Sequence, residues 1–244
     1  MQLDSHIAAI LATFLLAGFV KGVTGLGLPT VAIGLLSLVM RPADAATLVV
    51  IPSLVTNLWQ MTSGPALRPI ARRLWPMMLG IFAGTWAFGG VLTGSHASAA
   101  ITGLGVVLLL YAAFGLLRLR LPHVATRTEL VLSPVIGAAT GAVTGATGVF
   151  VIPAVPYLQA LGFERDELVQ ALGMSFTVST IALAIMLAGT GTLGALALSS
   201  LAALIPALIG MEIGNRVRKR VEPTLFRKIF FAGLALLGAH LLLR

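Results

Sequence analysis

Ten apolar segments separated by short polar gaps dominate this chain. Nothing constrains it more, because backbone crossing hydrocarbon must satisfy its N–H and C=O groups within a helix or a closed barrel. The segments run approximately over residues 7–20, 28–40, 43–61, 74–93, 97–117, 130–144, 149–161, 168–187, 193–213 and 224–243. With 58% hydrophobic and 10% charged residues and a mean hydropathy of +1.02, the chain reads as an all-α, polytopic membrane protein. No charged leader followed by a short apolar run and a small-residue cleavage site opens it, so the first segment is expected to belong to the mature fold. The absence of cysteine excludes disulfides and thiolate chemistry, and His6, His96, His123 and His240 are too scattered to suggest a metal pair. The sequence calls for no catalytic residue, no metal and no cofactor.

The net charge of +8 sits in the gaps between apolar runs, where it orients spans and meets anionic headgroups. Membrane lipid and a small anion are the expected partners, nucleic acid is not, and the oligomeric state, a homo-oligomer included, stays open.

The segments fall into two sets of five, residues 1–120 and 121–244, forming two repeats of one integral membrane domain. In each set the last three segments have about 19 to 21 residues, enough to cross a hydrocarbon layer of roughly 30 Å, whereas the first two have about 13 to 15 and reach only about 20 to 23 Å. Internal similarity supports a duplication: Val23-Thr24-Gly25 recurs as Val143-Thr144-Gly145, Gly27 falls near Gly148, Asp44 near Asp166, and Ser53 and Asn57 near Ser175 and Ser179. Loops 62–73, 118–128 and 214–228 carry the basic residues, while the repeat counterparts of the first and last, 188–195 and 94–98, carry no Lys or Arg. Equivalent loops therefore face opposite sides, so the repeats are expected to have inverted topology, with the basic loops cytoplasmic and both termini outside. The first two segments of each set must then enter and leave on one side, as two thin spans or as a re-entrant hairpin, and their length favours the hairpin.

The two hairpin tips, "KGVTGLGLPT" (21–30) and Gly141 to Pro153, are expected to meet near the midplane. Glycines there allow positive φ and close backbone approach, and unpaired amides at the following helix starts attract an anion. Lys21, Thr24, Gly25 and Gly27 from one tip and Thr144, Gly145, Thr147 and Gly148 from the other are the candidate substrate-binding residues. For the glycines and threonines, tight helix packing is the competing role. Lys21 has no obvious carboxylate partner, so it is expected to face an anionic substrate or else to snorkel or be capped by carbonyls. Ser53, Thr56, Asn57 and Gln60 share one helical face. Asn57, with Ser179 of the other set, is expected to line the path, against the alternative of interhelical packing. Glu212 has Arg216 one turn later as a simple ion-pair partner.

The stretches "GFVKGVTGLGLPTVAIGLL" (18–36) and "GAATGAVTGATGVFVIPAVP" (137–156) resemble the paired glycine-rich motifs of the sulfite exporter TauE/SafE family, and the similarity spans nearly the whole chain. The resemblance implies a bacterial inner-membrane, multi-pass exporter of sulfite, sulfonates or related sulfur-containing anions, driven by the proton gradient. A passive anion channel is the alternative. A membrane-embedded enzyme is a weaker one, since the chain has neither HExxH nor GxSxG.

Overall fold

The helix that carries Lys21 does not stop where its apolar run stops. The computed structural model describes residues 2–94, 97–118, 121–218 and 222–243, and their side chains except at 2–6, 97, 192–193, 195 and 223; His96, Arg120, Lys219 and Arg220, and the side chain of His6, lie outside that set. Its helices are α1 (Gln2–Thr24), α2 (Leu28–Leu36), α3 (Pro42–Thr62), α4 (Leu67–Thr93), α5 (Ala97–Leu116), α6 (Thr126–Thr147), α7 (Ala154–Ala160), α8 (Arg165–Ala188), α9 (Thr192–Val217) and α10 (Pro223–Leu243). Eight are long and apolar enough to cross a membrane. The chain is a multi-pass, all-helical membrane protein.

The expectation that the first two segments of each set are both short is corrected. α1 and α6 have 23 and 22 residues and only α2 and α7, with 9 and 7, are too short to span. The cause is local. Lys21 finds side-chain acceptors, so its charge does not end α1. Glu129 pairs with Arg73 at 2.7 and 2.8 Å, which lets α6 begin before its apolar run. Arg73 also donates to the Leu161 carbonyl at 3.0 Å and lies 4.5 Å over the Phe163 ring, tying α4, α6 and the α7–α8 connection together. The buried carboxylate of Glu129 is thus paired, as desolvation requires.

Glycine decides which helices touch. In lipid, apolar surface gives helices no preference for one another, so small residues that admit backbone contact select the partners. α6 carries Gly137, Gly141 and Gly145 one turn apart, and a Cβ on any of them would overlap α4 backbone at Met77, Ile81 or Thr85. Gly18 and Gly22 of α1 meet α9 at Ala207 and Met211 in the same way. Both pairs run parallel. α8 is antiparallel to α3, since Gln170 reaches the Met61 carbonyl whereas Thr180, farther along α8, meets Asn57. α5 is antiparallel to α10, with Gly105 against Gly238 and Gly115 against Phe231. Exchanging α1–α5 with α6–α10 turns α4–α6 into α9–α1 and maps α3–α8 and α5–α10 onto themselves, with α1 opposed to α6.

α3 and α8 form the centre: 61% and 67% of their apolar windows are buried, against 22–44% for the other six spans. Pro52 inside α3 leaves the Leu48 carbonyl without its helical donor. Ser200 of α9 repairs the gap, donating to Leu48 O at 2.9 Å and accepting from the Ile51 amide at 3.2 Å. Gln170 of α8 pins the α3–α4 connection through Met61 O, Gly64 O and the Ala66 amide. The ends of α3, α5 and α9, which lead into the basic loops, therefore lie at one end of the bundle. Arg216 pairs with Glu212 at 2.7 Å.

Gly141→Leu is expected to destabilise the protein by about 1–3 kcal/mol, because overpacking forces α4 and α6 apart. Gly90→Ala, where a Cβ meets nothing within 4 Å, should be neutral or slightly stabilising. Thermal unfolding in detergent compares the two.

Candidate anion site

Each glycine-rich tip is closed by one local device. α1 ends at Gly25, whose amide bonds to Lys21 O at 2.7 Å and whose φ is 76°. α6 ends at Gly148, whose amide bonds to Thr144 O at 2.7 Å and whose φ is also 76°. Just before each glycine, a threonine hydroxyl accepts the amide two residues on: Thr24 takes Leu26 N at 3.0 Å and Thr147 takes Val149 N at 3.2 Å. Left-handed backbone is where glycine is favoured, and both sites use it to stop a helix. Val23-Thr24-Gly25 thus corresponds to Ala146-Thr147-Gly148, one helical turn later than the sequence pairing with Val143-Thr144-Gly145 suggested. Two successive Thr-Gly pairs offered the alignment two registers, and backbone geometry selects the second.

This register assigns roles within the tips. Gly145 matches Gly22, and both are packing glycines. Gly25 has open space beside its Cα, Gly27 faces Phe230 at φ 94°, and Gly148 packs on Ile33 and Ala46. Pro29 sits in the first turn of α2, where a missing N–H costs nothing. The hydroxyls of Thr24, Thr144 and Thr147 all donate to backbone carbonyls one turn earlier. Among the described residues no hydrogen bond joins the tips. The first lies beside Phe230, two turns into α10 from the basic end; the second lies within 4 Å of Leu92, at the opposite end of α4. They occupy different depths rather than meeting at one.

Lys21 is 5% exposed. Its ammonium donates to Thr56 Oγ1 at 3.0 Å and to Asn57 Oδ1, and no carboxylate pairs with it among the described residues. It neither snorkels nor is capped by backbone carbonyls. Thr56 in turn donates its hydroxyl to Pro52 O at 2.8 Å, and Asn57 Nδ2 donates to Thr180 Oγ1 of α8 at 3.3 Å. The structure thus brings Lys21 and Asn57 together, with Ser179 next to Thr180 in the chain. Ser53, Ser175 and Ser179 are fully buried without a hydrogen-bond partner. All three belong to the polar face of α3 or its counterpart on α8. An unanswered buried hydroxyl costs about 1–3 kcal/mol, so three along one helix pair mark a polar seam rather than ordinary core.

Two hollows flank this centre. One of about 730 Å³ lies at the basic end, lined by residues including Val23, Thr24 and Leu26 of the first tip, Val155 and Gln159 of α7, and Arg118, Arg165, Arg218 and Arg227. The other, about 480 Å³, lies at the opposite end among Ser37–Pro42, Ser98, Thr102 and Leu241. The arginine cluster escaped the sequence because its members come from three separate stretches of chain; a surplus of basic loop residues on one side was its only trace.

The sequence model of a family described as Sulfite exporter TauE/SafE matches residues 10–241. No curated protein and no solved structure matches the chain.

Asn57→Leu is expected to cost about 1–3 kcal/mol by removing an acceptor from a buried ammonium. Lys21→Met in the same background should restore most of that loss, since the amine needing the acceptor is gone. A double-mutant cycle on thermal or denaturant unfolding measures the coupling.

Proposed function

The chain belongs to the Sulfite exporter TauE/SafE family, and we propose that it is a secondary transporter exporting a small sulfur-containing oxyanion, sulfite or a sulfonate, across the bacterial inner membrane. One observation carries the reading. Lys21 is a buried cation whose partners are all neutral, beside a seam with spare hydroxyl donors. A buried charge is retained where something compensates it, and a visiting anion does so. Serine hydroxyls and the Asn57 amide complete a donor set suited to oxygen acceptors.

In this reading the anion enters through the arginine-lined hollow, passes the Thr24–Gly27 tip and reaches Lys21 one turn away. Asn57 and Ser179 line its route, and Thr144, Gly145, Thr147 and Gly148 form the exit side. Residues 1–120 and 121–244 act as two repeats whose relative rocking exposes the site alternately. The hollow at the basic end reaches a tip, which supports a cytoplasm-facing reading of this conformation. Transport rather than covalent chemistry is the task, and no enzyme activity is assigned.

In proteoliposomes, wild-type protein is expected to accumulate sulfite against its gradient when a pH difference is imposed. Lys21→Met should lower that flux by about ten- to a hundredfold, the cost of losing a charged hydrogen-bond donor, with unfolding temperature preserved. Flux that only equilibrates sulfite would identify a passive channel, and unchanged flux in the variant would remove Lys21 from the site.

A further inference from the structure

The hollow at the end away from the basic loops is the repeat counterpart of the one at the basic end, yet Arg41, the one arginine lining it, is already taken. We infer that this hollow is the release mouth of the transport path and that Asp44 acts there as a built-in rival of the anion, holding Arg41 so that the mouth lets go of what the opposite end collects. The direction of travel rests on the exporter reading; the rivalry is read from the ion pair.

The equivalence of the hollows comes from the repeat. "LLLYAAFGLLR" (108–118) aligns with "LALLGAHLLLR" (234–244), which lays α5 on α10. Ser98, Ile101 and Leu241 around the smaller hollow then fall on Thr224, Arg227 and Gly115 around the larger. The joint from α2 to α3 lines the one, and Gln159 and Arg165, on either side of the joint from α7 to α8, line the other. Each also has a tip beside it. Thr24 and Leu26 line the larger hollow, while Gly148 packs on Ile33 and Ala46, one turn from Ser37 and Pro42 of the smaller. An inverted repeat turns an inward mouth into an outward one, and the two hollows are such a pair.

Their charges differ. Arg118, Arg165, Arg218 and Arg227 line the larger hollow and pair with no carboxylate among the described residues. Arg41 is engaged at two points: its Nε donates to Asp44 Oδ2 at 2.9 Å and its Nη2 to Asp44 Oδ1 at 3.0 Å. A forked grip of this kind uses the same donors that would hold a sulfite or sulfonate head. Asp44 stands in the first turn of α3, three residues from Arg41, so it competes at an effective concentration of roughly millimolar or above. A dilute anion loses that contest.

The rest of the wall is fitted to oxygen acceptors. Ser98 and Thr102 bring hydroxyls to the hollow, and Ser37, also in its wall, is 2% exposed with a hydroxyl that meets no partner among the described residues. A buried hydroxyl left unanswered beside a guanidinium favours an anion there. Asp44 therefore separates a mouth that releases from one that would retain.

The chain has no cysteine, so Leu242→Cys gives a single thiol for a bimane fluorophore in the wall of this hollow. The labelled protein, in an uncharged maltoside detergent at low ionic strength, is titrated with sodium sulfite. With Asp44 intact a weak response is expected. Asp44→Asn should bring the half-saturating sulfite concentration about three- to fivefold lower, the range an exposed ion pair commands, and Arg41→Gln added to it should abolish the shift. Asp44→Ser, which keeps a polar group in the first turn of α3, serves if Asp44→Asn does not fold. In proteoliposomes, external sulfite should inhibit efflux through Asp44→Asn at a correspondingly lower concentration than through the wild type. A half-saturation unmoved by the loss of Asp44 overturns the inference, as does a shift that survives Arg41→Gln or an efflux equally sensitive to external sulfite in both proteins. Ordinary sulfite efflux with an unmoved half-saturation defeats this inference alone. The expected shift without any wild-type efflux defeats the exporter reading and leaves the rivalry for Arg41 standing, since the titration needs no transport.

Discussion

Backbone contact across glycine is the interaction on which everything else in this protein stands. Between α4 and α6, and between α1 and α9, carbonyls and amides of one helix occupy the space a Cβ would need on the other. Lipid tails match leucine in polarity, so leucine-rich surfaces distinguish no partner; a surface notched by glycine does. The two parallel pairs fix the outer frame and hold the central α3 and α8 between them. Only within that frame can a lysine, an asparagine and several serines be kept away from water without the chain opening to reach it.

The central seam shows what the frame makes possible. Apolar packing alone would favour replacing Lys21, Asn57 and the buried serines with hydrocarbon, and nothing in the helix geometry demands them. Their arrangement is unequal between the halves. Lys21 occupies the position that Thr144 holds in the other repeat once the tips are matched at Gly25 and Gly148. With the tips so matched, the buried cation of the first corresponds to a neutral threonine position in the second, and the two sides of the central seam differ in charge.

Much of this was legible in the sequence, for a definite reason. Apolar length and loop charge act over whole segments, so all ten helices, the basic end of the bundle and the return of α2 and α7 to the side from which their hairpins entered follow from the residues. Helix ends were less legible because single contacts decide them. α1 outlasts its apolar run through the acceptors supplied by Thr56 and Asn57, and α6 begins early because Arg73 neutralises Glu129. The equivalence of the tips slipped by one turn because Thr-Gly occurs twice in succession. The isolation of Lys21 from carboxylates could be foreseen from where the acids fall along the chain. The aromatic and arginine-lined hollow could not, since its side chains come from α1, α5, α7, α8 and α10 and from Arg218 just past α9.

The threonine-glycine turns have a mechanical consequence. Thr24 and Thr147 spend their hydroxyls on their own chain, accepting from Leu26 and Val149 and donating to Val20 and Val143. Each bend is therefore electrically self-contained and holds its curvature without help from neighbouring helices. A bend of that kind is a preformed corner whose own turn strands no dipole. The first corner is nonetheless moored one turn back, where Lys21 holds α1 to α3 through Thr56 and Asn57, so any displacement of it is gated by the breaking of those two bonds.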